Sequence, residues 1–341
     1  MMSLKLFSLV YFMKEIFTLL KGGNKPSLLA AFVNTFLGII KGIAFFFTGN
    51  VAMFAEMMHS LGDAANQFFV FIGSALSKKA PTPRFPNGYG RIVNLVCLGA
   101  VLIVAILSYE TIKEGWHHFI HPATESSGIW IALGVLAIGF VLEFSVLQKA
   151  AKEILHEVGV EPKGIAVIQS AKYLKRAKPA TKLVWMEDLV ATSGNVLAFL
   201  AIVIAYFTEF YRLEGFISMV IGLMMFYVVG RVFLDNARGA IGETDEEMLV
   251  HIGNLVMEDP HVTDIARLEV IKEGEFLHVE LIAETDPSLS LAYLDDVRDH
   301  LTTLLLNQKG VTKVTLAFDE DNGERSWTHI ATKPESEKGM I

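Results

Sequence analysis

Residues 51–77 combine the length of a membrane-spanning helix with side chains that can bind a metal ion. Glu56, His59 and Asp63 follow one another at spacings of three and four residues. A helix places residues at such spacings on one face, with about 5–6 Å between their Cβ atoms. An imidazole nitrogen and a carboxylate oxygen are ligands that zinc and similar divalent ions accept. The stretch therefore predicts half of a metal site, formed by His59 and Asp63.

The same polar residues also allow a structural interpretation, in which they hydrogen-bond to neighbouring helices. An ionisable side chain near the middle of a bilayer is costly, about 2.5–3.5 kcal/mol for Asp on insertion scales. Residues retained at that cost commonly bind ions or protons, which favours the functional interpretation.

Two adjacent acids, Glu187 and Asp188, lie near the start of another apolar stretch, residues 183–207. Asp188 comes about 8 Å after the start of a helix that begins at residue 183. Either the two acids lie at the membrane interface, at the edge of that helix, or they are metal ligands that approach His59 and Asp63 where two helices are in contact. Small residues follow the two acids and would allow the backbones of two helices to approach each other closely. They are Ala191, Ser193 and Gly194.

Composition indicates a membrane domain followed by a soluble acidic domain. Hydrophobic residues make up 52% of the chain and charged residues 19%, and the mean hydropathy is +0.44. The formal net charge is −8, and many of the acidic residues come after residue 242. Because nucleic-acid-binding proteins carry basic surfaces, we expect no nucleic-acid partner. The single cysteine, Cys97, excludes a disulfide framework and a CxxC metal motif.

Six apolar stretches have the length and hydropathy expected of membrane spans. Lysine and arginine are concentrated before the first stretch and in the loops after the second and fourth. The positive-inside rule therefore predicts that both termini and these loops are cytoplasmic. The six predicted spans are residues 28–48, 51–77, 92–115, 128–148, 183–207 and 214–235.

The predicted architecture is a polytopic α-helical membrane protein with a C-terminal αββαβ domain. Apolar residues alternate along its predicted strands, as in half-buried sheets. The amphipathic pattern of residues 4–20 predicts a helix on the membrane surface. The predicted parts are an amphipathic segment (1–25), a six-helix membrane domain (26–238), the αββαβ domain (239–320) and a disordered tail (321–341). The predicted elements of the αββαβ domain are helices 246–257 and 291–308 and strands 265–272, 276–284 and 311–318.

Further ionisable residues accompany the apolar stretches. Lys41 in the first span and Glu143 in the fourth must face protein, water or each other. The loop after the third span contains His117, His118 and His121, which form either a metal-collecting mouth or ordinary polar surface.

Two motifs and the overall layout give a resemblance to a known family. The run from His59 to Gln67, His-Ser-Leu-Gly-Asp-Ala-Ala-Asn-Gln, resembles the cation diffusion facilitator family of metal transporters. Residues 88–91, Gly-Tyr-Gly-Arg, and the layout of six spans before an αββαβ domain match as well, so the resemblance covers nearly the whole chain. Asn66-Gln67 and Glu187-Asp188 resemble the branch that contains the mitochondrial-type zinc transporters of animals and their bacterial relatives.

The resemblance implies a transporter rather than an enzyme. Members of the family are homodimers that exchange cytoplasmic divalent cations for protons across a lipid bilayer by alternating access. The metal is then the transported substrate, and no cofactor is expected. The resemblance also implies a ferredoxin-like cytoplasmic domain and predicts a location in a bacterial inner membrane.

The family's ligands carry over only in part. His59, Asp63 and Asp188 match ligand positions, but Val184 stands where another ligand precedes Asp188 by four residues. Glu187, water or another helix must therefore supply the fourth ligand. Zinc is the expected metal, while a carboxylate-rich site completed by water also admits manganese or iron.

The C-terminal domain departs from the family in one further position. Tyr293 stands about where the family has a histidine in its second C-terminal helix, which argues against a regulatory metal there. Most of the histidines of this domain are expected to face solvent: His251, His261, His278 and His300.

Two alternatives to transport use the same residues. An intramembrane metalloenzyme would use the ligands to activate water and would generate a product rather than an ion flux. A membrane-tethered metal sensor would bind metal without transporting it.

Overall fold

Long helices make up the first part of the chain in the computed structural model, which describes residues 20–122, 128–174, 177 and 179–327. The predicted surface helix at residues 4–20 lies almost entirely outside the described residues, as does the predicted tail from residue 328 onward. The helices are α1 (Lys25–Thr48), α2 (Val51–Ser77), α3 (Ile92–Ile120), α4 (Ile129–Glu157), α5 (Ala166–Ser170), α6 (Pro179–Thr208) and α7 (Arg212–Ile241).

Five of these helices are long and apolar enough to cross a membrane: α1, α3, α4, α7 and residues 184–208 of α6. They coincide with five of the six predicted stretches. Their outward surfaces carry large apolar side chains, among them Phe46, Trp130 and Phe207, each at least three-quarters exposed. Such a surface suits a lipid environment and would be a liability in water. Helix α2 is long enough, with 27 residues, but its polar side chains make it less apolar than these five helices.

Three helices continue beyond the ends of the predicted spans, among them α7, which ends at Ile241 rather than near residue 235. Helix α3 ends at Ile120 and includes His117 and His118, so their prediction as loop residues is wrong. Helix α4 ends at Glu157 rather than near residue 148. Hydropathy locates the apolar part of a helix, whereas its backbone hydrogen bonds continue into polar turns outside that part.

Two residues, Gly49 and Asn50, connect α1 to α2. Gly49 has φ +64°, and its N–H donates to the Phe45 carbonyl, which ends α1. The side-chain Oδ1 of Asn50 then accepts hydrogen bonds from the backbone N–H groups of Ala52 and Met53 at 3.0 Å and 3.2 Å. This cap fixes the start of the helix that carries His59.

The C-terminal part has the predicted αββαβ order. The strand order is β1-β2-β3, with β1 and β2 antiparallel and β2 and β3 parallel. Inward residues of the strands pack with Ile252 and Leu301 of the two helices in one apolar core. The elements are α8 (Glu246–Met257), β1 (Asp264–Glu273), β2 (Phe276–Thr285), α9 (Leu291–Leu306) and β3 (Val311–Glu320).

The chain forms two compact units, and the predicted domain boundaries at residues 26, 239 and 321 stay a prediction. The first unit contains the candidate site described below. It comprises Gly23–Ile72 and Val96–Asn236, and the second unit lies within Met1–Gly22, Gly73–Leu95 and Ala237–Ile341.

Within the second unit, the loop after α2 contacts the turn between β1 and β2. Arg91 pairs with Glu273 at 3.5 Å, and Lys78 with Glu275 at 3.9 Å. A Cβ atom at Gly90 would collide with the Glu273 carbonyl oxygen. The Gly-Tyr-Gly-Arg motif therefore allows the loop backbone to lie directly against the hairpin.

Candidate metal site

His59 and Asp63 face each other on α2, as their spacing predicts. The His59 Nε2 atom lies 3.3 Å from the Asp63 Oδ2 atom. His59 is buried, and its Nε2 has no hydrogen-bond partner among the described residues. The Asp63 side chain is 41% exposed. Two ligands that each lie 2.0–2.1 Å from a tetrahedral zinc are about 3.3–3.4 Å apart, so the pair has the spacing of two ligands of one ion.

Asp188 on α6 lies in the electrostatic environment of this pair. Its carboxylate interacts with the charges of Asp63, Glu143 and His59, and its Oδ2 is buried without a hydrogen-bond partner among the described residues. The neighbouring Glu187 interacts with Asp63 and Asp188 as well. His59 is a partner of Asp188 in this network, whereas Glu187 has Asp235 of α7 as a further neighbour. The two adjacent acids therefore have different surroundings.

The structure does not gather all four predicted ligands around one point. Within residues 20–122, 128–174 and 179–327, no three His, Cys, Asp or Glu side chains are close enough to hold a metal ion. His59 and Asp63 thus form a half-site in this conformation. Asp188 and Glu187 of α6 lie nearby but beyond ligand distance.

A buried ion network connects α1, α2 and α4 in the same unit. The Lys41 Nζ atom lies 2.8 Å from Glu56 Oε2 and 2.9 Å from Glu143 Oε1. The side chains of Lys41 and Glu56 are fully buried and that of Glu143 is 11% exposed. The expectation that Lys41 and Glu143 face protein, water or each other is confirmed, since they pair directly. With all three groups charged, the network has a net charge of −1.

Glycines make room for this network on α4 and α6. A Cβ atom at Gly194 would lie 2.8 Å from Glu56 Oε1, and one at Gly139 would lie 2.8 Å from Asn195 Nδ2. Gly194 therefore allows the close approach of α2 and α6 that the sequence predicts. Asn195 is fully buried, and both polar atoms of its side chain lack partners among the described residues.

Sequence reasoning did not assign roles to Glu56 or Asn195. The signal for both was present, because a polar side chain inside an apolar stretch is expected to have a specific partner. The partner of Glu56 is Lys41 on α1, and Asn195 lies against Gly139 of α4. No local pattern identifies either neighbour.

The histidines of the C-terminal domain are mostly engaged with protein groups. The Nδ1 atom of His261 lies 2.9 Å from Asp259 Oδ1, and its Nε2 lies 2.6 Å from the Tyr293 hydroxyl. Tyr293 thus occupies one ring nitrogen that a metal would need. His278 is buried, with its Nε2 3.3 Å from Thr315 Oγ1, and is therefore an exception to the expectation that most of these histidines face solvent.

Known proteins similar to this chain are membrane transporters of metal ions. A family model described as "Cation efflux transmembrane domain" matches residues 27–239. The proton-coupled mitochondrial zinc antiporter SLC30A9 of Xenopus laevis is 27% identical over 277 residues, which cover 78% of this chain and 47% of that protein. The human SLC30A9 protein is 26% identical over 255 residues, covering 72% and 43%. The zinc transporter ZitB of Escherichia coli K12 is 23% identical over 288 residues, covering 82% and 83%.

The chain therefore spans less than half the length of the mitochondrial antiporters that it matches. It spans most of the length of the bacterial transporter.

Proposed function

Because the chain belongs to the cation efflux family, we propose that it is a proton-coupled exporter of divalent metal ions that works by alternating access as a homodimer. Zinc is the expected substrate, and manganese or iron are the alternatives. The family match confirms the resemblance to the cation diffusion facilitators. The relatives are named as transporters, in agreement with the prediction that the chain is not an enzyme.

The observation that carries this proposal is the His59–Asp63 pair. An unpaired, buried imidazole nitrogen lies 3.3 Å from a partly exposed carboxylate oxygen. A nitrogen and an oxygen ligand at this separation suit a borderline ion such as zinc. Asp188 of α6 is proposed as the third ligand, because it shares the electrostatic environment of His59 and Asp63. Glu187 or water supplies the fourth position.

Helix α2 is proposed as the sixth span. Its 27 residues rise about 40 Å, more than the hydrocarbon thickness of a bilayer. Glu56, one of its two acidic residues, is paired with Lys41 and fully buried, which lowers the cost of placing this helix in a membrane. Six spans, with basic residues in the loop after α2, agree with cytoplasmic termini. A bacterial inner membrane and a ferredoxin-like C-terminal domain complete the proposed architecture.

Proton coupling follows from the chemistry of the proposed ligands. His59, Asp63 and Asp188 must each be deprotonated to bind a metal ion, so binding releases protons and metal release takes protons up. A site that holds carboxylates within a membrane is costly when it is empty and charged. Protons are therefore natural replacements for the departing metal.

Alternating access requires a site that closes around the ion and opens again. In the described conformation, α2 presents two ligands while the acids of α6 lie beyond ligand distance. Movement of α6 against α2 would bring Asp188 to the ion, and Gly194 on α6 keeps the two backbones close enough for this movement. The half-site is therefore the open form in this proposal.

The C-terminal αββαβ domain is proposed to hold two copies of the chain together. Its acidic balance disfavours anionic lipid as a partner. Sedimentation equilibrium of residues 243–320 should detect dimers that form without added zinc, because Tyr293 already bonds one nitrogen of His261. A strictly monomeric fragment at high concentration would argue against this role.

Flux measurements distinguish the proposed transporter from its alternatives. The full chain is reconstituted in liposomes that contain a zinc indicator and a pH indicator. The proposal predicts that a zinc gradient drives protons in the opposite direction and that a pH gradient drives zinc. Zinc binding without flux would instead favour a metal sensor, and zinc flux without proton movement would remove the coupling. A panel of zinc, manganese and iron identifies the substrate.

A further inference from the structure

A second buried histidine–carboxylate pair lies at the other end of α2 from the loop that follows Ser77. His118 is in the last turn of α3, and Glu214 is in the first turn of α7. The two residues are 9% and 3% exposed. The His118 Nε2 atom lies 3.7 Å from the Glu214 Oε2 atom. Neither residue belongs to the His59–Asp63 half-site or to the Lys41 network.

Backbone packing fixes the positions of both side chains. A Cβ atom at Gly115 would lie 2.8 Å from the Gly215 carbonyl oxygen, and one at Gly215 would lie 2.6 Å from the Gly115 carbonyl oxygen. Helices α3 and α7 are therefore in direct backbone contact at this level. His118 follows Gly115 by three residues and Glu214 precedes Gly215, so the contact brings the two side chains together.

The His118 ring presents a buried nitrogen that is not hydrogen-bonded. Its Nε2 atom has no hydrogen-bond partner among the described residues, and it faces the Glu214 carboxylate. A buried imidazole nitrogen without such a partner is available as a ligand for a metal ion.

The separation of the pair is too large for a hydrogen bond but suits two ligands of one ion. A protonated imidazole would close on the carboxylate to about 2.7–2.9 Å. Two ligands that each lie 2.0–2.1 Å from one zinc, at angles between tetrahedral and trigonal, are about 3.3–3.6 Å apart. The observed 3.7 Å requires only a small inward movement of either side chain.

Asn50, at the start of α2, lies beside Glu214. Its Oδ1 caps the helix, and its amide nitrogen is buried with no hydrogen-bond partner among the described residues. The arrangement therefore has one nitrogen ligand and one oxygen ligand.

We propose that His118 and Glu214 form a second binding site for a divalent transition-metal ion, completed by water, that is separate from the His59–Asp63 half-site. Two protein ligands give weak binding, which suits an ion that stays briefly. The site concerns binding alone and does not rest on the proposed transport function. His117 and His121 lie beside it with their rings in mutual contact, and they are not part of it.

Zinc titration calorimetry of the full chain in nanodiscs tests this site. Asp63→Asn serves as the background, because it removes a ligand of the half-site. On this background, His118→Gln should remove one bound zinc per chain or weaken its binding at least tenfold. Glu214→Gln should have the same effect, since it keeps the shape of the side chain and removes the charge. His117→Gln is the matched control, because it deletes an adjacent, exposed histidine.

Each outcome decides the proposal. Equal losses from His118→Gln and Glu214→Gln, with no loss from His117→Gln, support a defined site. Unchanged zinc binding in either of the first two variants overturns it. A loss from His117→Gln as large as that from His118→Gln also overturns it, because the binding would then belong to the histidine cluster as a whole. Glu214→Gln alone decides the outcome if His118→Gln fails to elute as a monodisperse protein.

Discussion

Replacing Lys41 with Met tests the buried ion network most severely. The substitution keeps most of the side-chain volume and deletes the charge that lies 2.8 Å from Glu56 and 2.9 Å from Glu143. Removing one partner of a buried ion pair costs about 3–5 kcal/mol, because an uncompensated charge is left in a poorly solvated place. Here two carboxylates lose one shared partner, so we expect the upper part of that range. A loss of about 4–5 kcal/mol corresponds to roughly a thousandfold or more in the folding equilibrium.

Neutralising the two acids as well should recover most of this loss. The triple variant Lys41→Met, Glu56→Gln, Glu143→Gln contains no charge in the network, and neutral replacement of a buried ion network is often tolerated. The assay is the temperature at which detergent-solubilised protein loses its monodisperse gel-filtration peak. Lys113→Met is the control, because its pair with Glu110 is exposed and should contribute little.

Two results would contradict the expected role of Lys41. One is a Lys41→Met variant that loses its monodisperse peak at the wild-type temperature. The other is a triple variant that is no more stable than the single variant, since the loss would then come from packing rather than from unpaired charge.

Three further predictions concern the half-site and the C-terminal domain. His59→Asp creates an all-oxygen site, so transport should shift from zinc toward manganese in competition assays; an unchanged ratio contradicts this. Asp188→Ala should abolish zinc binding measured by calorimetry, whereas Glu187→Ala should keep part of it; the reverse order would make Glu187 the ligand. Burial, and then Lys313, lower the pKa of His278 in the folded domain. The unfolded chain therefore binds this proton at higher pH than the folded domain does, so stability is lost as the pH falls below about 6.5, the ordinary pKa of histidine. The His278→Gln variant should lose less thermal stability at acidic pH than the wild type does. An equal loss in the two proteins would contradict this role of His278.

The sequence predicts the helices and strands well, because each has a strong local signal. Residues 51–77 form one helix with the predicted ends, and the αββαβ order is as expected. The spacing of His59 and Asp63 alone determines that they meet. These features depend on residues that are close together in the chain.

Contacts between helices are much less visible in the sequence. A helix that is apolar all round has no amphipathic face to reveal which side contacts other helices. Lys41 therefore gave no indication of pairing with Glu56, and nothing local connected His118 with Glu214. Both pairs depend on close helix packing at glycines, whose effect appears only when the partner helix is known.

Zinc and proton flux of the Asp63→Asn variant in liposomes shows whether His59 and Asp63 form the transport site. The amide keeps the shape of the side chain and removes the charged oxygen that lies 3.3 Å from His59 Nε2. The matched control is Glu110→Gln, which removes a carboxylate from an exposed position on α3. We expect Asp63→Asn to remain folded and to lose both zinc flux and the accompanying proton movement, while Glu110→Gln keeps both. Zinc and proton flux at the wild-type rate in Asp63→Asn would contradict the assignment of His59 and Asp63 as the transport site.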